Sequence, residues 1–123
     1  MAVPEASPPP ADRPEVRALL HEARTVAVVG LSSKQHRASY RVAEYLQRHY
    51  RVIPVNPKEP TVLGEKAYPS LREVSVPVDV VDVFRRAEFT PDIARQAVEI
   101  GAKALWLQSG IVSEEARQIA EGG

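Results

Sequence analysis

Cysteine is absent from this chain of 123 residues. Its absence excludes disulfide bonds, thiol nucleophiles and thiolate metal sites. The imidazoles available to a metal are those of His21, His36 and His49. They fall on separate predicted elements, so we expect no metal site.

Long hydrophobic runs and an excess of one charge are also missing. No apolar run approaches the roughly 18 residues of a membrane-spanning helix, and no signal peptide is visible, so we expect a cytoplasmic protein. The 16 basic residues balance the 16 acidic residues. This balance predicts no general nucleic-acid or membrane surface. The length suits one domain with a hydrophobic core.

The first part of the chain is rich in proline. Residues 1–13 contain Pro4, Pro8, Pro9 and Pro10 and almost no large apolar residue, which predicts a disordered or extended tail. A short helix is predicted over residues 15–23, because its apolar residues recur at helical spacing. Residues 14–123 are therefore assigned to a single domain.

Apolar runs alternate with segments of helical periodicity along the rest of the chain. Strands are predicted over 26–29, 51–55, 78–83 and 104–107, with a short edge strand within 61–68. Helices are predicted over 39–50, from a Thr90 cap to Gly101, and after a Ser113 cap. This alternation predicts an α/β fold: a Rossmann-like, three-layer α/β/α domain with a mostly parallel sheet of five strands.

Polar loops follow the predicted strands, and such loops meet at the carboxyl edge of a parallel sheet. Gly30 ends the first strand and would let backbone approach a phosphate, with the N-terminus of the next helix beyond it. The Gly-x-Gly-x-x-Gly fingerprint of dinucleotide sites is not met. Loops carrying hydroxyls, amides and cations, without a carboxylate at the strand ends, predict an anionic ligand.

The residues after the second strand bear on which anion binds. An NAD site usually has a carboxylate there for the ribose hydroxyls, whereas this chain has Asn56, Pro57 and Lys58. A lysine favours a phosphorylated ribose, which both NADP and coenzyme A (CoA) carry. Composition does not choose between the two. The carboxylates of Asp79 and Asp82 lie within a strand and are predicted to be structural.

Several motifs in combination resemble a known family. They are Gly30-x-Ser32-x-x-x-x-Arg37-x-Ser39-Tyr40, Tyr50-Arg-Val-Ile-Pro-Val-Asn-Pro-Lys58, Val80-Val-Asp-Val-Phe-Arg-Arg86 and Gly101-Ala-Lys-Ala-Leu-Trp-Leu-Gln108. The chain from about residue 25 to residue 121 resembles the small stand-alone CoA-binding domain proteins. These are similar to the N-terminal CoA-binding domain of the succinyl-CoA synthetase alpha subunit. The resemblance implies a Rossmann-like fold with CoA as the bound ligand.

The resemblance also implies a set of contacts. It puts the loop after the first strand on the CoA phosphates, Lys58 on the phosphorylated ribose, and the loops after the last two strands on the walls of the site. The implied cofactor-binding residues are Gly30, Leu31, Ser32, Ser33, Arg37, Ser39, Tyr40, Asn56, Pro57, Lys58, Phe84, Arg85, Arg86, Gln108, Ser109 and Gly110.

This sequence departs from the family pattern in two places. Prolines are common in family loops where this chain has Ser33, Gln35 and Ala38, so its loop is expected to be less stiff. Family members usually continue past the last helix into a strand containing Asp-Arg-Cys. This sequence ends at Gly122 and Gly123, and a chain that ends there lacks that edge strand.

Function is predicted to be non-catalytic binding of CoA or an acyl-CoA. Ligase chemistry of the synthetase type would need a phosphorylated histidine in a second domain and a nucleotide-grasp partner, for which this length leaves no room. A small NADP-binding oxidoreductase-like protein is the alternative, although it would need a substrate domain. A third interpretation is a ligand-free scaffold for a protein partner, and the sequence identifies no such partner.

Overall fold

The computed structural model describes Met1, residues 23–108 and residues 113–123. The tail predicted over residues 1–13 and the helix predicted over 15–23 lie outside these residues, apart from Met1 and Ala23. Ser109 and Gly110 also lie outside them.

The centre of the fold is a parallel sheet of four strands in the described ranges: β1 (Thr25–Val29), β2 (Arg51–Val55), β5 (Val80–Val83) and β6 (Ala104–Leu107). They lie in the order β2-β1-β5-β6 across the sheet. All residues of β5 are buried, as expected for a strand covered on both faces. The predicted α/β, Rossmann-like class is confirmed.

The prediction of a fifth strand in the sheet is wrong. The segment after β2 pairs with itself, as the antiparallel strands β3 (Thr61–Val62) and β4 (Glu65–Lys66). Only Tyr68 reaches the sheet, where it forms an isolated bridge with Val55. The N–H of Tyr68 donates to the carbonyl of Pro54, its carbonyl accepts from the N–H of Asn56, and the pairing ends there.

Among the described residues, three helices cover the two faces of the sheet: α1 (Ala38–Leu46), α2 (Thr90–Glu99) and α3 (Glu114–Gly122). Short 3₁₀ turns lie at Leu71–Glu73 and Ala87–Phe89. Helix α1 ends before the predicted residue 50, since Arg48 and His49 donate to carbonyls three residues back and tighten the chain into β2. None of these helices in the described ranges has the length and apolarity to cross a membrane.

Two hydrophobic clusters lie on opposite faces of the sheet. Alternate residues of the strands, such as Val81 and Leu105, pack with Ala94 and Ala97 of α2 and with Ala116 of α3. The small side chains allow both helices to lie close to the sheet. The other strand residues pack with α1 in the second cluster, which includes Val26, Val28, Val80, Ala43 and Leu46. This division produces the three predicted layers.

The two predicted helix caps have different outcomes. Ser113 caps α3, because its hydroxyl accepts a hydrogen bond from the backbone N–H of Ala116 at 3.2 Å. The prediction that Thr90 caps α2 is wrong. Thr90 lies inside the helix, and its hydroxyl instead donates to the carbonyl of Ala87 at 2.6 Å.

Candidate ligand-binding site

A cleft of about 540 Å³ opens at the carboxyl ends of β1, β2 and β5. Its lining includes Lys34, Arg37, Lys58 and Arg85, with Glu59 as the one carboxylate among the described lining residues. Four cations against one carboxylate create a positive potential, which favours an anionic ligand.

Gly30 forms the floor of this cleft. Its φ of +86° lies in the left-handed region, and a Cβ atom built there would stand 2.8 Å from the carbonyl oxygen of Phe84. The backbone N–H of Gly30 donates to Val55 at 2.8 Å, and that of Phe84 donates to Val29 at 2.8 Å. The ends of β1 and β5 are therefore close-packed at a residue without a side chain.

The loop between β1 and α1 is folded by its own serines. The hydroxyl of Ser39 accepts from the backbone N–H of Ser32 at 3.0 Å, and the hydroxyl of Ser32 accepts from that of Lys34 at 3.1 Å. No side chain caps the N-terminus of α1, where Arg37 is the N-cap. The first N–H groups of this helix have no acceptor within the helix. They form the positive end of its dipole, which attracts anions.

The loop after β2 is tied to the loop after β1 through Asn56. Its side-chain amide donates to the carbonyl of Leu31 at 3.0 Å, and its Oδ1 accepts from the backbone N–H of Lys58 at 2.9 Å. Both ends of the Asn56 side chain are thus engaged with backbone. This turn presents Lys58 on the rim of the cleft, with its side chain exposed.

A second, smaller cleft of about 250 Å³ adjoins the first and shares Gly30, Pro57 and Arg85 with it. The guanidinium of Arg85 lies 4.6 Å from the ring centre of Phe89, in a cation–π contact. The remaining wall combines apolar and polar side chains from the segment after β4 and from the start of α2: Pro69, Ser70, Leu71, Glu88, Asp92, Ile93 and Gln96.

Most of the residues predicted to bind a cofactor come together at these clefts. The cleft at the ends of β1, β2 and β5 is lined by Gly30, Ser32, Arg37, Ser39, Asn56, Pro57, Lys58, Phe84 and Arg85. Leu31 is fully buried in the core, and Ser33 and Tyr40 are not among the lining residues. The Arg86 guanidinium is turned away to the exposed carboxylate of Glu88 at 3.5 Å.

Sequence reasoning missed part of the wall. Lys34 and Glu59 also line the larger cleft. Each directly follows a predicted binding residue, Ser33 or Lys58, and this adjacency in the sequence could have identified them. The residues from 69–71 and from α2 had no such signal, because tertiary packing brings them to the sheet edge. Their role as lining could be found only from the structure.

Asp79, directly before β5, and Asp82, within β5, lie in different environments. The Asp79 carboxylate accepts from the backbone N–H groups of Arg24 and Thr25 at 2.8 and 3.0 Å. Desolvation raises the pKa of Asp79, but these bonds and Lys103 outweigh it and leave the pKa below its ordinary value. Asp79 is thus a structural residue that fixes the start of β1.

Asp82 lies in the middle of the sheet with no exposed surface. Burial raises the pKa of this carboxyl to about 7, against the opposing effect of a hydrogen bond from Gln108. Gln108 does not line the first cleft. Its side chain instead points to Asp82, with Nε2 at 2.5 Å from Oδ1.

Comparisons with known proteins agree with this architecture. The family profile described as "CoA binding domain" matches residues 24–123. The uncharacterized protein YneT of Bacillus subtilis is 42% identical over 106 residues, which cover 85% of this chain and 78% of YneT. A solved structure titled as a hypothetical protein from Pyrococcus horikoshii is 37% identical with a TM-score of 0.85, covering 88% of this chain and 77% of that one.

A much larger protein contains a similar region. The acetate–CoA ligase (ADP-forming) II of Archaeoglobus fulgidus is 27% identical over 111 residues, and the match covers 88% of this chain but only 16% of the ligase. The domain therefore occurs both alone and within ligases. With the family profile covering the whole sheet and its helices, this chain belongs to the CoA-binding domain family.

Proposed function

We propose that this chain binds CoA or an acyl-CoA at the carboxyl edge of its sheet, with the diphosphate in the larger cleft. The observation that supports this most strongly is the convergence of four cations on a cleft whose floor is the side-chain-free Gly30. The first turn of α1 offers N–H groups that have no acceptor within the helix to phosphate oxygens there.

The 3′-phosphate of CoA is assigned to Lys58. The backbone N–H of Lys58 donates to Oδ1 of Asn56 at 2.9 Å. This bond fixes the turn, and Lys58 lies on the side of the loop that lines the cleft. The ammonium would then meet the phosphate in a charge-assisted hydrogen bond.

The adenine ring is assigned to the smaller cleft. The exposed ring of Phe89 supplies apolar contact area, with the buried Leu71 and Ile93 behind it. Ser70 and Gln96 supply polar groups for the ring edge. Because the two clefts meet at Gly30 and Arg85, one ligand carrying a base, a phosphorylated ribose and a diphosphate can occupy both.

Calorimetric titration with CoA, NADP and NAD tests this proposal. We expect CoA to bind more tightly than either dinucleotide. NADP is the alternative ligand, since Lys58 could equally meet its 2′-phosphate, and Glu59 on the rim is the carboxylate an NAD ribose would need. A preference for NADP or NAD over CoA would overturn the proposal.

Lys58→Ala is expected to weaken CoA binding by roughly ten- to a hundredfold, because a charge-assisted hydrogen bond contributes about 1.5–3 kcal/mol. Dephospho-CoA lacks the 3′-phosphate and should bind the wild type and the variant almost equally. The four affinities form a cycle whose coupling energy isolates this contact.

Lys66→Ala is the matched control, since Lys66 is exposed on β4 and does not line the first cleft. It should leave all affinities unchanged. A coupling energy within about 0.3 kcal/mol of zero for Lys58 would remove the role assigned to it.

Binding is proposed to occur without catalysis. The chain has no cysteine. The hydroxyls of Ser32 and Ser39, which line the larger cleft, accept hydrogen bonds from backbone N–H groups instead of facing a histidine base. We expect no release of free thiol from acetyl-CoA above the rate in buffer. Steady release that is lost in Ser32→Ala or Ser39→Ala would contradict this.

A further inference from the structure

Gln96 is a buried polar side chain in the wall of the smaller cleft. It belongs to α2, is only 9% exposed, and lines the cleft together with Ser70 and Phe89. Buried amides are hydrogen-bonded as a rule, because an unmet donor or acceptor costs free energy. The partners of the two ends of this amide therefore indicate what the side chain is placed to bind.

One end of the Gln96 amide is bound by Asp92. Nε2 of Gln96 donates to Oδ2 of Asp92, one helical turn earlier, at 2.9 Å. A carboxylate only accepts hydrogen bonds, so the amide nitrogen must face Asp92 and the amide oxygen must face away from it. The orientation of the amide is thus set by the chemistry of its partner.

A guanidinium lies on the other side of the Asp92 carboxylate. Oδ1 of Asp92 is 4.0 Å from the guanidinium of Arg72, which also donates two hydrogen bonds to Glu99, at 2.7 and 3.1 Å. Arg72 belongs to the 3₁₀ turn that contributes Leu71 to the cleft. These contacts join α2 to that turn and favour the position of Asp92 in which it accepts from Gln96.

The other end of the Gln96 amide has no partner among the described residues. Oε1 accepts no hydrogen bond from them, and it is not one of the buried polar atoms that are closed off from solvent. Oε1 is therefore open on a side chain that lines the cleft. At this point the wall offers a ligand a hydrogen-bond acceptor and not a donor.

We propose that Gln96 selects adenine against the oxopurines hypoxanthine and guanine, by accepting a hydrogen bond from the exocyclic amino group of adenine. An oxopurine would turn a carbonyl oxygen towards Oε1, and two acceptors that face each other both go without a hydrogen bond. Asp92 is the positioning residue for this contact. The inference rests on the proposed function, which assigns the base of CoA to the smaller cleft.

The other polar groups of this wall do not make the same choice. The Ser70 hydroxyl both donates and accepts, so it serves an amino group and a carbonyl alike. The carboxylates of Asp92 and Glu88 are exposed, and that of Glu88 lies 3.5 Å from the Arg86 guanidinium. An exposed carboxylate keeps its water when a ligand fails to donate to it. A base that covers the buried Gln96 side chain removes water from its one open acceptor.

Calorimetry with CoA and its hypoxanthine analogue tests this role, because the two ligands differ in the edge of the base and share every phosphate. Affinities for both ligands are measured with the wild type, Gln96→Met and Asp92→Asn. Gln118→Met is the matched control, since Gln118 is exposed on α3 and lines neither cleft.

We expect the wild type to bind CoA about ten- to a hundredfold more tightly than the hypoxanthine analogue, from one lost hydrogen bond and one unmet acceptor. Gln96→Met should bring the two affinities to within about threefold of each other, because the acceptor is gone. Gln118→Met should keep the ratio of the wild type.

Asp92→Asn distinguishes positioning from a merely structural role. An asparagine donates as well as accepts, so the Gln96 amide can turn and present Nε2 to the carbonyl of hypoxanthine. We expect this variant to bind the hypoxanthine analogue about three- to tenfold more tightly than the wild type does, and to bind CoA less tightly. A structural defect would weaken the binding of both ligands together.

Equal affinities of the wild type for CoA and the hypoxanthine analogue would overturn the role of Gln96 and leave CoA binding intact. A wild-type ratio that persists in Gln96→Met would overturn it too, and one that persists in Asp92→Asn would overturn positioning by Asp92. Absence of CoA binding to the wild type would overturn both this inference and the proposed function. If Gln96→Met fails to fold in a thermal melt, the ratio in Asp92→Asn decides the matter.

Discussion

Gly30→Ala is expected to lower the free energy of unfolding by about 2–4 kcal/mol, because two costs combine at this position. The φ of +86° is unfavourable for any residue with a Cβ atom, and that atom would lie 2.8 Å from the Phe84 carbonyl oxygen. Since the clashing atom belongs to the backbone of the neighbouring strand end, the clash can be relieved only by separating β1 from β5.

Gly64→Ala is the matched control for the backbone term. Gly64 has a similar φ of +77°, but a Cβ atom there would meet nothing within 4 Å. Its alanine variant should cost only about 1 kcal/mol. Denaturant unfolding of both variants measures the difference between their free energies of unfolding. Equal losses of stability would show that the close contact at Gly30 adds nothing to the cost of its alanine variant.

Asp82→Asn is expected to stabilise the protein at pH 8 and to have little effect at pH 4. Asp82 has an ordinary pKa of 3.8 when unfolded and about 7 in the folded protein. The folded state therefore binds the proton more tightly. Its contribution to stability is complete below pH 3.8 and is lost as the pH rises to 7.

The size of this effect follows from the pKa difference. At about 1.4 kcal/mol for each pKa unit, the wild type should lose on the order of 4 kcal/mol relative to Asp82→Asn between pH 4 and pH 8. Urea unfolding of both proteins across this range gives the difference directly, with the contributions of the other carboxyls cancelled. A difference that stays constant with pH would contradict the raised pKa.

Strand positions could be predicted from the sequence where burial on both faces leaves a continuous apolar run. Strands over 51–55 and 104–107 have the predicted bounds. The fifth strand could not be excluded in this way, because the residues around Gly64 have strand-forming neighbours on both sides. Its pairing was decided by the turn at Leu63 and Gly64, both with positive φ, which folds the segment onto itself.

The site could be predicted as far as topology determines it. In a parallel sheet, loops that follow the strands must share one edge, so Gly30, Lys58 and Arg85 were expected together. The use of Asn56 to join two loops, and of Gln108 to hold a buried carboxyl, depends on side-chain directions. A linear sequence does not contain those directions, and the contributions of Leu71 and Phe89 depend on packing between distant segments.

The position of CoA in a crystal structure of its complex is the most direct test of the account. We expect the diphosphate in the larger cleft over Gly30, within hydrogen-bond distance of the backbone of the loop closed by Ser32 and Ser39. The 3′-phosphate should lie at Lys58 and the adenine against Phe89. CoA bound away from the carboxyl edge of the sheet, or bound there with its diphosphate outside this cleft, would contradict it.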